Sequence, residues 1–446
     1  MGKLFGTDGI RGVANRDLTP EMAYQIGRIL TSLLKNTDTN PFFLIGRDTR
    51  LSGSMLEGSL VAGITSAGGD VKVLGIASTP AVAYLTKKMG ASAGIVISAS
   101  HNPIEDNGLK IFNNDGFKLA DSLEEQIEHC YYNNLDSLPR PEGLKLGQAY
   151  NDHEAYEQYL LYLRNKASQL NDLSLVIDCA HGAACRVAAE LFQGLNAKVK
   201  MIHDTPDGRL INVKCGATDT GNLQKAVREN KADIGLAFDG DADRLIAIDE
   251  KGDIVDGDAV MSICAIYMSE ERKLRNNTLV ATVMSNGGLD LLAEQYGFNV
   301  IRTTVGDRYV LETMLKGDYN LGGEQSGHII FSDHSTSGDG LLTALQLLAI
   351  MTVKGKPLSE LASVLERMPQ VLVNQPVNDK EGWSENAIIH KNIELIKTKI
   401  GKYGRILVRP SGTEKLIRVM IEAPLPEDDL EILAKELAGV IGREQS

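Results

Sequence analysis

Short apolar runs recur along the chain. Each breaks off into a cluster of Gly, Asp, Ser or Asn before a stretch with helical spacing begins. That alternation predicts α/β units with mostly parallel strands, because a parallel connection needs a helix to carry the chain back. The runs sort into three groups of one form. First strands are predicted at 42–45, 175–178 and 279–283, and second strands at 71–76, 199–202 and 300–304. The third run of each group leads into the most polar loop. Run 94–97 enters Ser98-Ala99-Ser100-His101-Asn102-Pro103, and run 234–238 enters Asp239-Gly240-Asp241-Ala242-Asp243-Arg244. Run 320–323 enters Glu324-Gln325-Ser326-Gly327-His328.

The pattern reads as one α/β domain used three times. Copies facing a common centre would bring the loops at equivalent strand ends together, so the Ser100, Asp239 and Glu324 loops would share one cleft. After Pro369 the pattern changes to a short tail. It has a strand at 405–408, a turn at Arg409-Pro410-Ser411-Gly412-Thr413, an apolar strand at 416–421 and a helix at 427–441. The expected fold is α/β: three similar α/β domains with mostly parallel mixed sheets, plus a smaller α+β C-terminal domain, around a central cleft. The expected domains are 1–150, 151–253, 254–369 and 370–446.

Charge narrows the function. Lys plus Arg is 46 and Asp plus Glu is 59, a net charge of −13. Nucleic-acid binding would need a basic surface, so no nucleic-acid partner is expected. A small anionic substrate stays open, since a few local arginines override the global field. Cys130, Cys179, Cys185, Cys215 and Cys264 are odd in number and scattered, without a C-x-x-C pair, which favours a reducing compartment. No apolar run reaches the ~18–20 residues of a membrane span, and the opening lacks an apolar leader core. A cytoplasmic location with no membrane partner is the expectation.

The Ser100 loop follows an apolar strand, which can hold a hydroxyl out as a nucleophile or phosphoryl carrier. An ordinary turn explains Ser, Asn and Pro equally well. His101 stands where it can orient the serine. Lys110, in Asn107-Gly108-Leu109-Lys110, is within reach as an acid/base if its pKa is lowered, or is a surface lysine.

Asp239, Asp241 and Asp243 alternate with small residues, and three carboxylates so close repel unless a cation sits among them. Hard oxygen ligands favour Mg²⁺ or Ca²⁺. An EF-hand loop would have Glu250 at position twelve, but Arg244 stands where the turn needs Gly. A haloacid-dehalogenase phosphatase ends its strand in D-x-D-x-[TV], and Asp243 occupies the Thr/Val place. A metal held by the aspartates beside a phosphate held by Arg244 fits phosphoryl transfer best. Glu324 and Ser326 can hydrogen-bond vicinal sugar hydroxyls, though a capped turn is the plain alternative. Arg409, Ser411, Gly412 and Thr413 have the composition of an anion nest, with Arg418 a second cation on the next strand.

These four loops, in this order, resemble the α-D-phosphohexomutase family over nearly the whole chain. The resemblance implies four domains around a deep cleft. It implies Ser100 as the phosphoserine, with Asp239, Asp241, Asp243 and the Ser100 phosphate holding Mg²⁺. Lys110 would be a general acid/base, with Arg11, His101 and Arg244 lining the reacting centre. Gly306, Asp307, Glu324, Ser326 and His328 would bind the sugar. Arg409, Ser411, Gly412, Thr413 and Arg418 would bind the phosphate not being transferred.

The opening Phe5-Gly6-Thr7-Asp8-Gly9-Ile10-Arg11-Gly12, the run Gly46-Arg47-Asp48-Thr49-Arg50 and Val305-Gly306-Asp307-Arg308-Tyr309-Val310 resemble the branch that acts on glucosamine phosphates. The implied reaction interconverts glucosamine 6-phosphate and glucosamine 1-phosphate through glucosamine 1,6-bisphosphate. That branch supplies amino-sugar nucleotide and cell-wall precursors. Alternatives are a phosphoglucomutase/phosphomannomutase of the same family, or the phosphatase above. Lys415 departs from the branch, which has Pro there. The expected partner is a phosphosugar, and a homodimer is an open alternative.

Overall fold

The computed structural model describes residues 4–6, 8–35, 41–170, 173–410 and 415–445. Among them no helix is long and apolar enough to cross a membrane.

The three repeats fold into three sheets built to one plan. In the first, Phe42–Arg47 lies between Asp70–Ile76 and Ala93–Ile97, parallel to both. In the second, Ser174–Asp178 lies between Lys198–Ile202 and Ile234–Phe238. In the third, Thr278–Thr282 lies between Asn299–Thr303 and Leu321–Gly323. Helices cover these strands, so the runs Ala93–Ile97, Ile234–Phe238 and Thr278–Thr282 are buried along their whole length. This explains why they read as unbroken apolar stretches, without the alternation of a half-exposed strand.

An antiparallel strand then follows the third strand of each sheet: Asp106–Asn113, Leu245–Asp249 and Ile329–Phe331. The polar loop of each repeat is therefore the connection between the third strand and its antiparallel neighbour. The first sheet gains Ile10–Val13 and Ala149–Asn151 at its edges, giving six strands, and the second gains Ile254–Val255, giving five.

The described chain forms two compact units. One runs to Met284 and includes Phe298–Val364; the other joins Ser285–Gly297 to Leu365–Ser446. Helix Gly288–Tyr296 follows the first strand of the third repeat, yet it belongs to the second unit. There Asn286 Nδ2 donates to the Met368 carbonyl at 3.1 Å, and Gly287 N–H donates to the buried Glu422 carboxylate at 2.5 Å. Arg405 pairs with the same carboxylate at 2.9 Å.

The C-terminal part holds more than the expected tail. Its sheet is antiparallel, with Leu416–Glu422 between Gln370–Pro376 and Arg405–Pro410. Helices Ala387–Ile400 and Glu427–Glu444 pack on a core of Ile389, Ile393, Ile417, Val419, Leu430 and Leu437. Arg409 and Pro410, expected in a turn, are strand residues. Ser411, Gly412 and Thr413 lie outside the described residues.

Candidate active site

Where strand Ala93–Ile97 ends, the chain turns sharply. Ser100 adopts φ of +52°, a left-handed conformation that costs a non-glycine residue about 1–3 kcal/mol. The residue is only 1 % exposed. The turn aims Oγ at the second repeat, where it donates to Asp239 Oδ2 at 2.6 Å. His101 Nδ1 stands 3.3 Å from the same Oγ. Burial, aided by the Arg244 and Arg11 charges, lowers the His101 imidazole to about 4, so it is neutral near pH 7.

The antiparallel neighbour strand places Lys110 opposite Val96. Lys110 is buried, and Nζ lies 2.8 Å from Asp241, 3.0 Å from Asp243 and 3.4 Å from Asp8. Burial alone would lower its pKa. The three carboxylates outweigh burial and hold it well above the usual lysine range. The lowered pKa expected from sequence is thus absent here, because the neighbours are anions and not cations. A cation among those carboxylates would weaken their hold on the ammonium.

Asp239, Asp241 and Asp243 are at most 3 % exposed, and each offers an oxygen within 4.8 Å of the others. Burial, together with the Asp243 and Asp241 charges, pushes Asp239 well above the carboxylate range. Asp243 goes the other way: burial opposes ionisation, but Lys110, His328 and Arg244 hold it well below that range. Asp241 Oδ1 and Asp243 Oδ1 are buried without a hydrogen-bond partner. Two orphaned carboxylate oxygens facing hard-ligand company fit a divalent ion such as Mg²⁺. The buried Arg244 Nε also lacks a hydrogen-bond partner, and the Arg244 N–H donates to Asp239 Oδ1 at 3.2 Å.

Ser100, His101, Asp243 and Arg244 line a cavity of about 790 Å³, together with Arg11, Gly306, Asp307, Glu324, Ser326 and His328. Loops from all three repeats therefore meet in one cleft. Gly306 N–H donates to Glu324 Oε1 at 3.1 Å, tying the 324–328 loop to the turn after Asn299–Thr303. His328 sits 3.6 Å from both Asp243 and Asp307. Burial opposes its charge, but Asp243 and Asp307 raise it to about 9. Arg11 donates to Asn102 Oδ1 at 3.3 Å and pairs with Asp8.

Sequence reasoning assigned no role to Asp8 or Lys118. Lys118 Nζ lies 2.6 Å from both Asp8 and Asp307, bridging the N-terminal segment and the third repeat. Asp8 stood inside a quoted motif, whereas nothing local marks Lys118. In the second unit, Arg409 and Arg418 are directly opposite on neighbouring antiparallel strands. Such partners share a face, so the two positive charges are side by side, an arrangement an anion would stabilise. A second group with metal-type side chains, Asp178, His203 and Cys215, is engaged internally. Asp178 accepts from Ala180 N–H, Gly216 N–H and His203 Nδ1 at 2.9–3.0 Å.

Behind the cleft, Asp339 caps helix Gly340–Lys354 and accepts from Tyr159 Oη at 2.7 Å. Burial pushes its carboxyl up to about 6 from 3.8, despite the Leu342 N–H and Tyr159 hydroxyl. The unfolded chain therefore releases this proton first. The stability gained is complete below pH ~4 and is lost as pH rises through about 6, some ~3 kcal/mol in all. Asn caps a helix as well as Asp does. Asp339→Asn should accordingly gain on the parent in urea melts as pH rises from 4 to 7. Parallel stability curves across that range would show that Asp339 does not titrate this way.

Models of the phosphoglucomutase/phosphomannomutase family match the chain in four consecutive blocks. They are α/β/α domain I at 2–137, domain II at 154–252, domain III at 256–368 and the C-terminal domain at 372–440. A phosphoglucosamine mutase of Geobacillus thermodenitrificans is 53 % identical over 445 residues, 100 % of this chain and 99 % of the relative. The chain belongs to the α-D-phosphohexomutase family, in its phosphoglucosamine mutase branch. Two solved structures share the fold. A phosphoglucomutase/phosphomannomutase family protein of Burkholderia thailandensis matches with a TM-score of 0.81 at 24 % identity, covering 98 % of this chain and 97 % of the other. The N-acetylphosphoglucosamine mutase of Aspergillus fumigatus, in complex with GlcNAc-6P and magnesium, matches with a TM-score of 0.69 at 18 % identity, covering 99 % and 96 %.

Proposed function

We propose that this chain is a phosphosugar isomerase that interconverts glucosamine 6-phosphate and glucosamine 1-phosphate, carrying the phosphoryl group on Ser100. The observation that carries the reading is the 2.6 Å contact of Ser100 Oγ with Asp239, which joins a strained, buried hydroxyl to a carboxylate triad. With domain boundaries near 150, 253 and 369, the Ser100, Asp239 and Glu324 loops fall one to each of the first three domains.

Phosphorylated Ser100 gives its phosphoryl to the free hydroxyl of the sugar phosphate. The P–O bond to Ser100 breaks as the new P–O bond forms, leaving glucosamine 1,6-bisphosphate. The intermediate turns around and returns its other phosphoryl to Ser100. Asp239, Asp241 and Asp243 would hold Mg²⁺, which when bound would offset charge on the phosphoryl oxygens. Arg244 and Arg11 face the same oxygens. Neutral His101 would take the proton of the attacking hydroxyl and return it, and Lys110, an ammonium beside three carboxylates, would share that task once a bound cation weakens their hold on its proton. Glu324 and Ser326 would hold ring hydroxyls, with Gly306, Asp307 and His328 shaping the sugar side, and Arg409 and Arg418 would grip the distal phosphate. The five cysteines are all free thiols, which supports a cytoplasmic setting.

³¹P NMR of the protein with glucosamine 6-phosphate, Mg²⁺ and a trace of sugar 1,6-bisphosphate tests the reading. A growing 1-phosphate signal without free phosphate, abolished by chelation, is the expected result. Release of free phosphate alone would favour the phosphatase alternative. Conversion of glucose or mannose phosphate only would keep the mechanism and discard the branch.

A further inference from the structure

The left-handed turn at Ser100 is held from outside its own loop. Ser100 N–H donates to Ser98 Oγ at 2.9 Å. Its carbonyl accepts from Arg50 at 3.0 Å and from Asn212 Nδ2 at 2.8 Å. Arg50 follows the first strand of the first repeat and is among the largest fully buried side chains of the protein. Its guanidinium spends every donor on this neighbourhood. It bonds the carbonyls of Ser100, Asn102 (2.8 Å), Pro103 and Asp106 (2.9 Å), and Asp48 Oδ2 (2.9 Å). Asp48 in turn accepts from Ser98 Oγ at 2.6 Å and from the Arg50 N–H at 2.9 Å. One planar cation thus gathers four carbonyls of a single loop, a task its rigid fork suits and a lysine ammonium does not.

The bracket also crosses between repeats. Asn212 comes from the second repeat, in the connection after Lys198–Ile202. That connection touches the Arg50 turn closely: a Cβ on Gly208 would sit 2.2 Å from the Thr49 carbonyl. Thr49 Oγ1 donates to the His181 carbonyl at 2.7 Å, a further tie between the two repeats. Arg50 itself is absent from the wall of the cleft, so substrate contact does not explain it. Removing a buried guanidinium from water is costly, and here it is matched by a complete set of acceptors around the strained residue.

We propose that Arg50, braced by Asp48 and Ser98 and matched by Asn212, is a positioning residue that keeps the Ser100 turn left-handed, so that Oγ faces the carboxylate triad throughout turnover. The proposal rests on Ser100 being the phosphoryl carrier. Without the bracket, Ser100 relaxes toward ordinary backbone angles and Oγ swings off the line of transfer. The loss falls on the chemical step and not on sugar binding, because the sugar-binding loops are untouched.

The experiment uses full-length enzyme carrying Arg50→Lys, Asn212→Ala, Ser98→Ala or Ser98→Thr. Melting temperature, phosphate occupancy at Ser100 by mass spectrometry, kcat, KM and the ³¹P resonance of the phosphoserine are measured for each. For the three variants that lose a bond, kcat should fall roughly 10–100-fold and KM should change less than about twofold, with a shifted or broadened phosphoserine resonance. Ser98→Thr keeps the hydroxyl and should restore both rate and resonance. Arg50→Lys is the variant at most risk of misfolding, and Asn212→Ala and Ser98→Ala decide the matter without it. The proposal is overturned if those two fold, carry phosphate and turn over within about twofold of the parent. It is equally overturned if their loss lies in KM with the resonance unmoved. An active parent with no phosphate on Ser100 would instead bring down the carrier assignment, and the proposal with it.

Discussion

Ser100→Ala should lower kcat by roughly 10⁴-fold or more, since it removes the atom proposed to carry the phosphoryl group and the alignment that goes with it. At 1.36 kcal/mol per tenfold, that is at least ~5 kcal/mol of lost transition-state stabilisation. Folding should change far less. Alanine faces the same left-handed backbone penalty that serine already meets, and only the Ser100–Asp239 hydrogen bond disappears. Its loss removes a donor from a carboxylate that burial already disfavours as an anion, so a small drop in melting temperature is expected. Three readings taken together test the prediction: steady-state turnover, the melting curve and the phosphoserine ³¹P signal. A folded variant that keeps more than about a tenth of parental turnover would exclude Ser100 as the carrier.

The second large effect belongs to Asp239, and its sign depends on the metal. In the metal-free protein, burial and the neighbouring Asp243 and Asp241 charges raise the Asp239 pKa well above the carboxylate range. The unfolded chain ionises first. Stability is therefore unimpaired below the ordinary aspartate range and is lost as pH climbs through the raised folded-state value. Asp239→Asn removes that loss. It still offers a carbonyl oxygen to the Arg244 N–H, now 3.2 Å from Asp239 Oδ1. With chelator present near pH 7, the variant should melt above the parent, at roughly 1–2 °C for each kcal/mol recovered, and the gap should close as pH falls toward 4. Mg²⁺ should reverse the order by stabilising the parent strongly and the variant weakly, because a neutral amide is a poor substitute for a carboxylate ligand. Activity of Asp239→Asn should fall by about 10²-fold or more at millimolar Mg²⁺. Equal Mg²⁺-induced shifts in calorimetry would count decisively against the triad as the metal site.

Much of this arrangement was legible in sequence because its signals are local. A strand buried on both faces must be apolar throughout, and Ala93–Ile97 and Ile234–Phe238 end at polar loops too rich in chemistry to pass as filler. Helix Ala387–Ile400 also carried a local signal that was missed: Ile389, Ile393, Ile396 and Ile400 at helical spacing, with Asn386 as its cap. Strand Gln370–Pro376 is harder, being partly exposed and ending in proline. Lys118, Arg50 and Asn212 could not have been found this way. Their partners lie far off in sequence, Asn212 meeting Ser100 across 112 residues and Lys118 meeting Asp307 across 189. Lys110 shows the same limit from the other side. Its strand position was within reach, but whether its neighbours were cations or carboxylates depended on a loop from another repeat.

Three sheets of one plan each contribute one loop, and every loop is anchored at both ends by hydrogen-bonded strands. The segment 324–328, proposed to hold the sugar, therefore hangs from a different sheet than the serine and the aspartates. Its last residue, His328, nevertheless reaches back to Asp243 at 3.6 Å, so a change at that end of the segment is felt by the carboxylate triad.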